Sequence, residues 1–188
     1  FTRQQKPLGL GHAIWCAYRY ILDEPFAVIS PDDLVLAEEG CLSQMMDVYR
    51  HVGGNVVAVE DVPRSETNRY GILDIDKDDG TIVSAKGLVE KPEPHLAPST
   101  LSIIGRYILQ PQVFKFLGKH QLGAGGEIQL TDAISETISS TPFYGLRFNG
   151  QRFDCGTKSG FVLANIAYAL KRDDLKQDVC LALQNNGL

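Results

Sequence analysis

Phe26-Ala27-Val28-Ile29-Ser30-Pro31-Asp32-Asp33 reads as a short apolar strand that runs into a proline and then into two carboxylates. The apolar run is too short for a buried helix and is closed by Ser30-Pro31, which marks it as a buried strand. Upstream, Leu10 to Tyr20 carries apolar residues at helical spacing after a glycine-rich start. Downstream, Cys41 to His51 reads as an amphipathic helix closed by Gly53-Gly54, and Asn55 to Glu60 as a second strand built on Val56, Val57 and Val59. The order α, β, α, β predicts an α/β fold in which helices cover a sheet with parallel strands. Ligands of such sheets gather beyond the carboxyl ends of the strands.

The middle of the chain changes character. Tyr70 to Asp76 and Thr81 to Val89 are β-rich runs joined by Asp78-Asp79-Gly80, a hairpin turn, and they predict a smaller antiparallel piece. Ser102 to Leu109 reads as another strand, Pro111 opens a short helix as a first-turn proline does, and Glu127 to Ser139 reads as a helix. Phe143 to Phe148 returns as a strand. Lys158 to Leu170 and Leu175 to Leu183 are the closing helices, and Asn185-Asn186-Gly187 reads as a frayed end.

With 188 residues, 44% hydrophobic and 22% charged, the chain can bury a real core and has the size of one domain or a domain with an appendage. Its formal net charge of -5 argues against a nonspecific binder of nucleic acid polymers or of anionic membranes, which needs a basic surface. A small anionic ligand requires only local cations such as Lys91, Arg106, Arg147, Arg152 or Lys158. Cys16, Cys41, Cys155 and Cys180 are too scattered for zinc-ligand spacing, and free thiols in a reducing cytoplasm are expected. No run approaches the roughly 18 apolar residues of a membrane span, and Phe1-Thr2-Arg3-Gln4-Gln5 is not a signal peptide.

Glu90-Lys91-Pro92 sets a carboxylate beside an ammonium where Pro92 stops a strand. Such a pair can hold a sugar phosphate, the carboxylate accepting from vicinal hydroxyls and the lysine facing phosphate oxygens; it is equally an ordinary Lys-Pro exit from a surface strand. Asp32 and Asp33 follow a strand and suit magnesium, which takes one or two carboxylates plus phosphate oxygens, although either can cap a turn. Asp154, in Arg152-Phe153-Asp154-Cys155-Gly156-Thr157, supplies another carboxylate at a strand end that can converge with the first, or shapes a turn before a helix capped by Thr157. Gly9-Leu10-Gly11-His12-Ala13 opens a helix with glycines that let a ligand or another backbone come close, His12 being a packed or capping residue on the plainer reading. Gly71 can offer a backbone N–H to a hydroxyl or simply start a strand. His12, His51, His95 and His120 are scattered, and no Ser-His-Asp or Cys-His set emerges.

Taken in order, Gly9-Leu10-Gly11-His12-Ala13, Pro31-Asp32-Asp33, Tyr70-Gly71, Val89-Glu90-Lys91-Pro92, Ile104-Gly105-Arg106-Tyr107, Gly126-Glu127-Ile128-Gln129-Leu130-Thr131-Asp132-Ala133 and Phe153-Asp154-Cys155-Gly156 resemble bacterial UTP-glucose-1-phosphate uridylyltransferases almost end to end. The resemblance implies a Rossmann-like mixed sheet of the sugar nucleotidyltransferase type, forming a single domain over residues 1–188 with carboxyl-terminal helices at about 158–184. It implies UTP and glucose 1-phosphate as substrates, UDP-glucose and pyrophosphate as products, and Mg2+ as cofactor. By position, Asp32 resembles the metal ligand, with Asp154 as the other acidic position near the metal. Glu90 resembles the binder of glucose hydroxyls, Lys91 the contact to the phosphates, and Gly71 a backbone contact to glucose. Gly11, near the nucleoside, and His12 and Asp33 fall among the substrate-binding positions. A cytoplasmic homo-oligomer is implied as well. The family pattern starts with a strand, a glycine-rich loop and a Pro-Lys segment, none of which precedes Phe1. The expectation is therefore a chain lacking the first half of its nucleotide site, with an exposed sheet edge. A glucose-1-phosphate thymidylyltransferase and a noncatalytic sugar-nucleotide-binding module are the alternatives.

Overall fold

A computed structural model describes residues 1–185. Along the chain run α1 (Leu10–Trp15), α2 (Tyr18–Ile21), β1 (Phe26–Ile29), β2 (Asp33–Leu36), α3 (Cys41–Val52), β3 (Asn55–Asp61), β4 (Gly71–Asp78) and β5 (Ile82–Glu90). Then follow β6 (Leu101–Leu109), α4 (Val113–Leu117), α5 (Leu130–Thr137), β7 (Phe143–Arg147), β8 (Gln151–Asp154), α6 (Lys158–Leu170) and α7 (Asp173–Asn185). The chain divides into two units, Phe1–Ile29 with Leu42–Phe148, and Ser30–Cys41 with Asn149–Leu188.

The first unit is built on a mixed six-stranded sheet in the order β1-β6-β3-β7-β5-β4. Val56, Val57, Ala58 and Val59 of β3 and Leu101, Ile104 and Leu109 of β6 are almost fully buried. Covered on both faces, these strands read as continuous apolar runs rather than alternating ones. Ile14 of α1, Leu117 of α4 and Leu130 and Ile134 of α5 close over them and join the same core as Val57, Leu73 and Leu101. Each such aliphatic side chain contributes about 1.5–3 kcal/mol by leaving water. Buried Asn55 is satisfied by donating to Thr137 Oγ1 at 3.1 Å and accepting from the Gln110 N–H at 2.8 Å.

Parallel strands are fewer than the α, β, α, β order suggests. β1 and β3 run the same way but are separated by β6, antiparallel to both, and the parallel pair among the described strands is β3 with β7. The β4–β5 hairpin, expected as a separate antiparallel piece, instead extends this sheet, because β5 pairs with β7 and β4 with β6. Its turn is made as read: Asp79 Oδ1 accepts from the N–H groups of Thr81 and Ile82, and Gly80 takes a positive φ of 95°.

The helix expected over Leu10 to Tyr20 breaks in two, since Ala17 and Tyr20 donate to Ile14 and Ala17, tighter three-residue bonds that end the α-helical ladder. The helix expected from Glu127 starts only at Leu130. Ile128 stays extended because its N–H donates to Leu8 O and its carbonyl accepts from the Gly11 N–H.

In the second unit, β2 pairs antiparallel with β8 as a separate two-stranded sheet, which sequence reading did not anticipate, and α6 and α7 follow. Thr157 caps α6 as expected, its Oγ1 accepting from the Gly160 N–H at 3.0 Å. Tyr168 of α6 donates its hydroxyl to Val35 O of β2 at 2.9 Å. Asn185 closes α7; the rest of the expected frayed end, Asn186-Gly187, lies outside the described residues. Among the described residues no helix is long and apolar enough to cross a membrane.

Candidate functional site

In the first unit the β4–β5 ladder sets Gly71 across from Glu90. Glycine is required there, because a Cβ would lie 2.8 Å from Thr131 Cγ2 and 3.3 Å from Glu90 Oε2. The Glu90 side chain is 11% exposed and its Oε1 lies 3.5 Å from Lys91 Nζ, whose side chain is 47% exposed. Lys91 adopts a left-handed φ of 46° while its N–H still donates to Tyr70 O at 2.9 Å. This conformation costs a non-glycine residue about 1–2 kcal/mol, and such strain concentrates where a side chain must be aimed.

Beside Gly71 stands Thr131, buried on the first turn of α5. Its Oγ1 is the buried side-chain polar atom without a hydrogen-bond partner among the described residues. Leaving a buried hydroxyl unpaired costs about 1–3 kcal/mol. A carboxylate, a glycine backbone and a lysine at the rim together suit a polyol that carries a phosphate. In the sequence Thr131 carries no signal of its own beyond a hydroxyl on the first turn of α5, between Leu130 and Asp132.

Gly11 and His12 occupy α1. The close approach at Gly11 is to another backbone, since its N–H donates to Ile128 O at 3.0 Å and a Cβ would lie 2.6 Å from that oxygen. His12 is held from several sides. Its Nδ1 lies 3.2 Å from Gln4 Nε2, its Nε2 lies 3.9 Å from Cys16 Sγ, and its ring stacks on Trp15. Gln4 Nε2 also donates to the Lys6 and Gly9 carbonyls at 3.1 and 3.4 Å.

Asp32, Asp33 and Asp154 lie in the second unit. Asp32 is exposed in the turn before β2, and its carbonyl accepts from the Cys155 N–H at 2.7 Å. The Gly156 N–H donates to Asp154 Oδ1 at 3.0 Å. A Cβ on Gly156 would stand 3.0 Å from Asp154 Oδ1 and 3.6 Å from Asp32 Oδ2, so the two carboxylates flank one glycine, as their positions in the sequence predict. Asp33 begins β2 rather than sharing the turn, and its Oδ1 accepts from Arg152 Nε in a pair whose side chains are 14% and 8% exposed.

Two carboxylate groups fit a hard divalent cation that completes its shell with water and phosphate oxygens. No cluster of three or more acidic, histidine or cysteine side chains that could hold a metal occurs among the described residues. Of the cations singled out in the sequence, Arg147 is committed to Asp61 and Asp78, which push its guanidinium pKa above the usual arginine value, chiefly through the hydrogen bonds it donates to Asp78.

The nucleotidyl transferase family pattern matches residues 1–171, and the chain belongs to that family. It is 57% identical over 150 residues to the UTP–glucose-1-phosphate uridylyltransferase of Komagataeibacter xylinus, a match that covers 80% of this chain and 53% of that protein. A UDP-glucose pyrophosphorylase solved in complex with UDP-glucose superposes with a TM-score of 0.85 at 38% identity, over 90% of this chain and 65% of its own. A UTP-bound UGPase from Acinetobacter baumannii superposes with a TM-score of 0.84 at 35% identity, over 97% of this chain and 64% of its own. The chain thus spans between 53% and 65% of the length of these proteins.

Proposed function

We propose that the chain carries the sugar-binding and metal-binding part of a UTP–glucose-1-phosphate uridylyltransferase, which joins UTP and glucose 1-phosphate to give UDP-glucose and pyrophosphate. The observation that carries this reading is the cradle of Gly71, Glu90 and Thr131, with strained Lys91 at its rim. The uridylyl reading is favoured over the thymidylyl one by the names of the relatives that match at high identity.

Within this reading Glu90 accepts hydrogen bonds from glucose hydroxyls, and the Thr131 hydroxyl gains the partner it otherwise lacks. Lys91 faces the phosphates and offsets their charge. A phosphate oxygen of glucose 1-phosphate attacks the α-phosphorus of UTP in line, a new P–O bond forms, and the bond to the β-phosphate breaks to release pyrophosphate. No covalent protein intermediate is needed, so the task of the side chains is to position two polyanions and to compensate their charge. Asp32 and Asp154 would hold Mg2+, which when bound supplies further charge compensation to phosphate oxygens. The reading carries with it a cytoplasmic homo-oligomer.

Isothermal titration of the chain with UDP-glucose and Mg2+, beside Lys91→Ala, tests this, followed by a pyrophosphate-release assay with UTP and glucose 1-phosphate. Lys91-dependent binding is expected. Equal heats for wild type and Lys91→Ala would remove the assignment of the Glu90–Lys91 pair as the sugar-phosphate site.

A further inference from the structure

We propose that Arg152 is a positioning residue for a divalent cation held by Asp32 and Asp154; the inference rests on the reading above, in which that pair takes the metal. Antiparallel pairing sets Asp33 directly across from Asp154, and Arg152, two residues before Asp154 on β8, projects from the same face. Like charges directly opposed on one face of a strand pair repel. The guanidinium of Arg152, hydrogen-bonded to Asp33 Oδ1, puts a compensating cation on that same face where water is largely excluded. There the attraction is screened far less than at an open surface.

The consequence reaches Asp32 through the backbone. Asp33 is the first residue of β2, so tying its side chain to β8 fixes the strand end from which Asp32 emerges. The bond from the Cys155 N–H to Asp32 O and the bond from the Gly156 N–H to Asp154 Oδ1 then hold both turns on either side of Gly156. Arg152 acts on strand register and charge balance rather than on substrate. Without it, Asp33 becomes a largely buried carboxylate facing Asp154, and relief requires the end of β2 to move, which carries Asp32 away. Groups that orient metal ligands in this manner typically change metal affinity when removed, without touching the ion themselves.

The test is Mn2+ binding to the full chain, read by electron paramagnetic resonance of the free ion and competed with Mg2+, together with thermal melting. Arg152→Met is expected to weaken Mn2+ binding by roughly 10-fold to 100-fold and to lower Tm, with Arg152→Lys recovering part of the affinity. The double variant Asp33→Leu with Arg152→Met replaces a largely buried pair by apolar groups, a change that is often neutral or stabilising. With the repulsion between Asp33 and Asp154 removed as well, it is expected to recover both Tm and much of the Mn2+ affinity, because the end of β2 no longer has to move. Wild-type Mn2+ affinity in Arg152→Met, measured below its Tm, would overturn the positioning role and leave the metal reading standing. Unchanged Mn2+ binding in Asp32→Asn would instead remove the metal reading, and the proposal with it.

Discussion

Gly71 stands across the β4–β5 ladder from Glu90 with no room for a methyl group between its Cα, the Glu90 carboxylate and the Thr131 side chain. The fold therefore demands glycine at this position, and the proposed sugar site would demand it too. Gly71→Ala is expected to cost about 1–3 kcal/mol by overpacking and to weaken UDP-glucose binding, as measured by chemical denaturation and calorimetry. Pairing Gly71→Ala with Thr131→Ser, which removes the clashing methyl, should recover much of the stability.

Lys91 offers a way to separate stability from function. Its left-handed backbone suits glycine, so Lys91→Gly is expected to leave stability unchanged or raise it by up to about 1 kcal/mol, after the greater chain entropy of unfolded glycine is offset. Binding of UDP-glucose should fall in that variant as in Lys91→Ala. A Lys91→Gly protein that binds as wild type would assign the strain to the fold alone.

Asp132, on the first turn of α5, has its carboxyl pKa raised, first by burial and then by the neighbouring charge of Glu136. A folded-state value above the unfolded one means that the folded protein binds this proton more tightly. Stability from this group therefore rises as pH falls through the raised value, and the full cost of the charge is present at neutral pH. Asp132→Asn is expected to raise Tm near pH 7, with the gain shrinking as pH falls through the raised value and gone below the ordinary carboxylate range. A Tm difference independent of pH would contradict this account.

Arg147 joins three separate stretches, reaching Asp61 at 2.9 Å and Asp78 at 2.8 Å from the end of β7. The Arg147 hydrogen bonds, followed by the one from Gly80, hold the Asp78 carboxyl below its usual range. A depressed folded-state value contributes stability above the unfolded pKa, and that contribution is lost as pH falls through the depressed value. Arg147→Met is thus expected to lower Tm at neutral pH, with a smaller difference in high salt and in acid, since the pairs are partly exposed. Melting curves across salt and pH check this.

Much of the architecture was legible because it is encoded over short distances. The β1 strand follows from a short apolar run, and the Asp79-Gly80 turn and the Thr157 cap from adjacent residues whose side chains bond their own backbone. The Asp32–Asp154 convergence was also anticipated, since both follow strand-like runs. β2 was missed because Asp33-Leu34-Val35-Leu36 is too short to stand out beside Pro31, and its partner β8 is far away in the chain.

By itself the sequence determined the local elements and their approximate order, since periodicity, caps and turns depend on neighbours within a few positions. Tertiary structure alone decided that β6 lies between β1 and β3, that Gly11 is reserved for the backbone at Ile128, and that Asp33 pairs with Arg152 across 119 positions. It also decided that Thr131 is buried without a partner beside Gly71. The physical reason is that extended backbone offers the same donors and acceptors to any strand, so the choice of neighbour is made by collective burial and packing, which no local stretch contains.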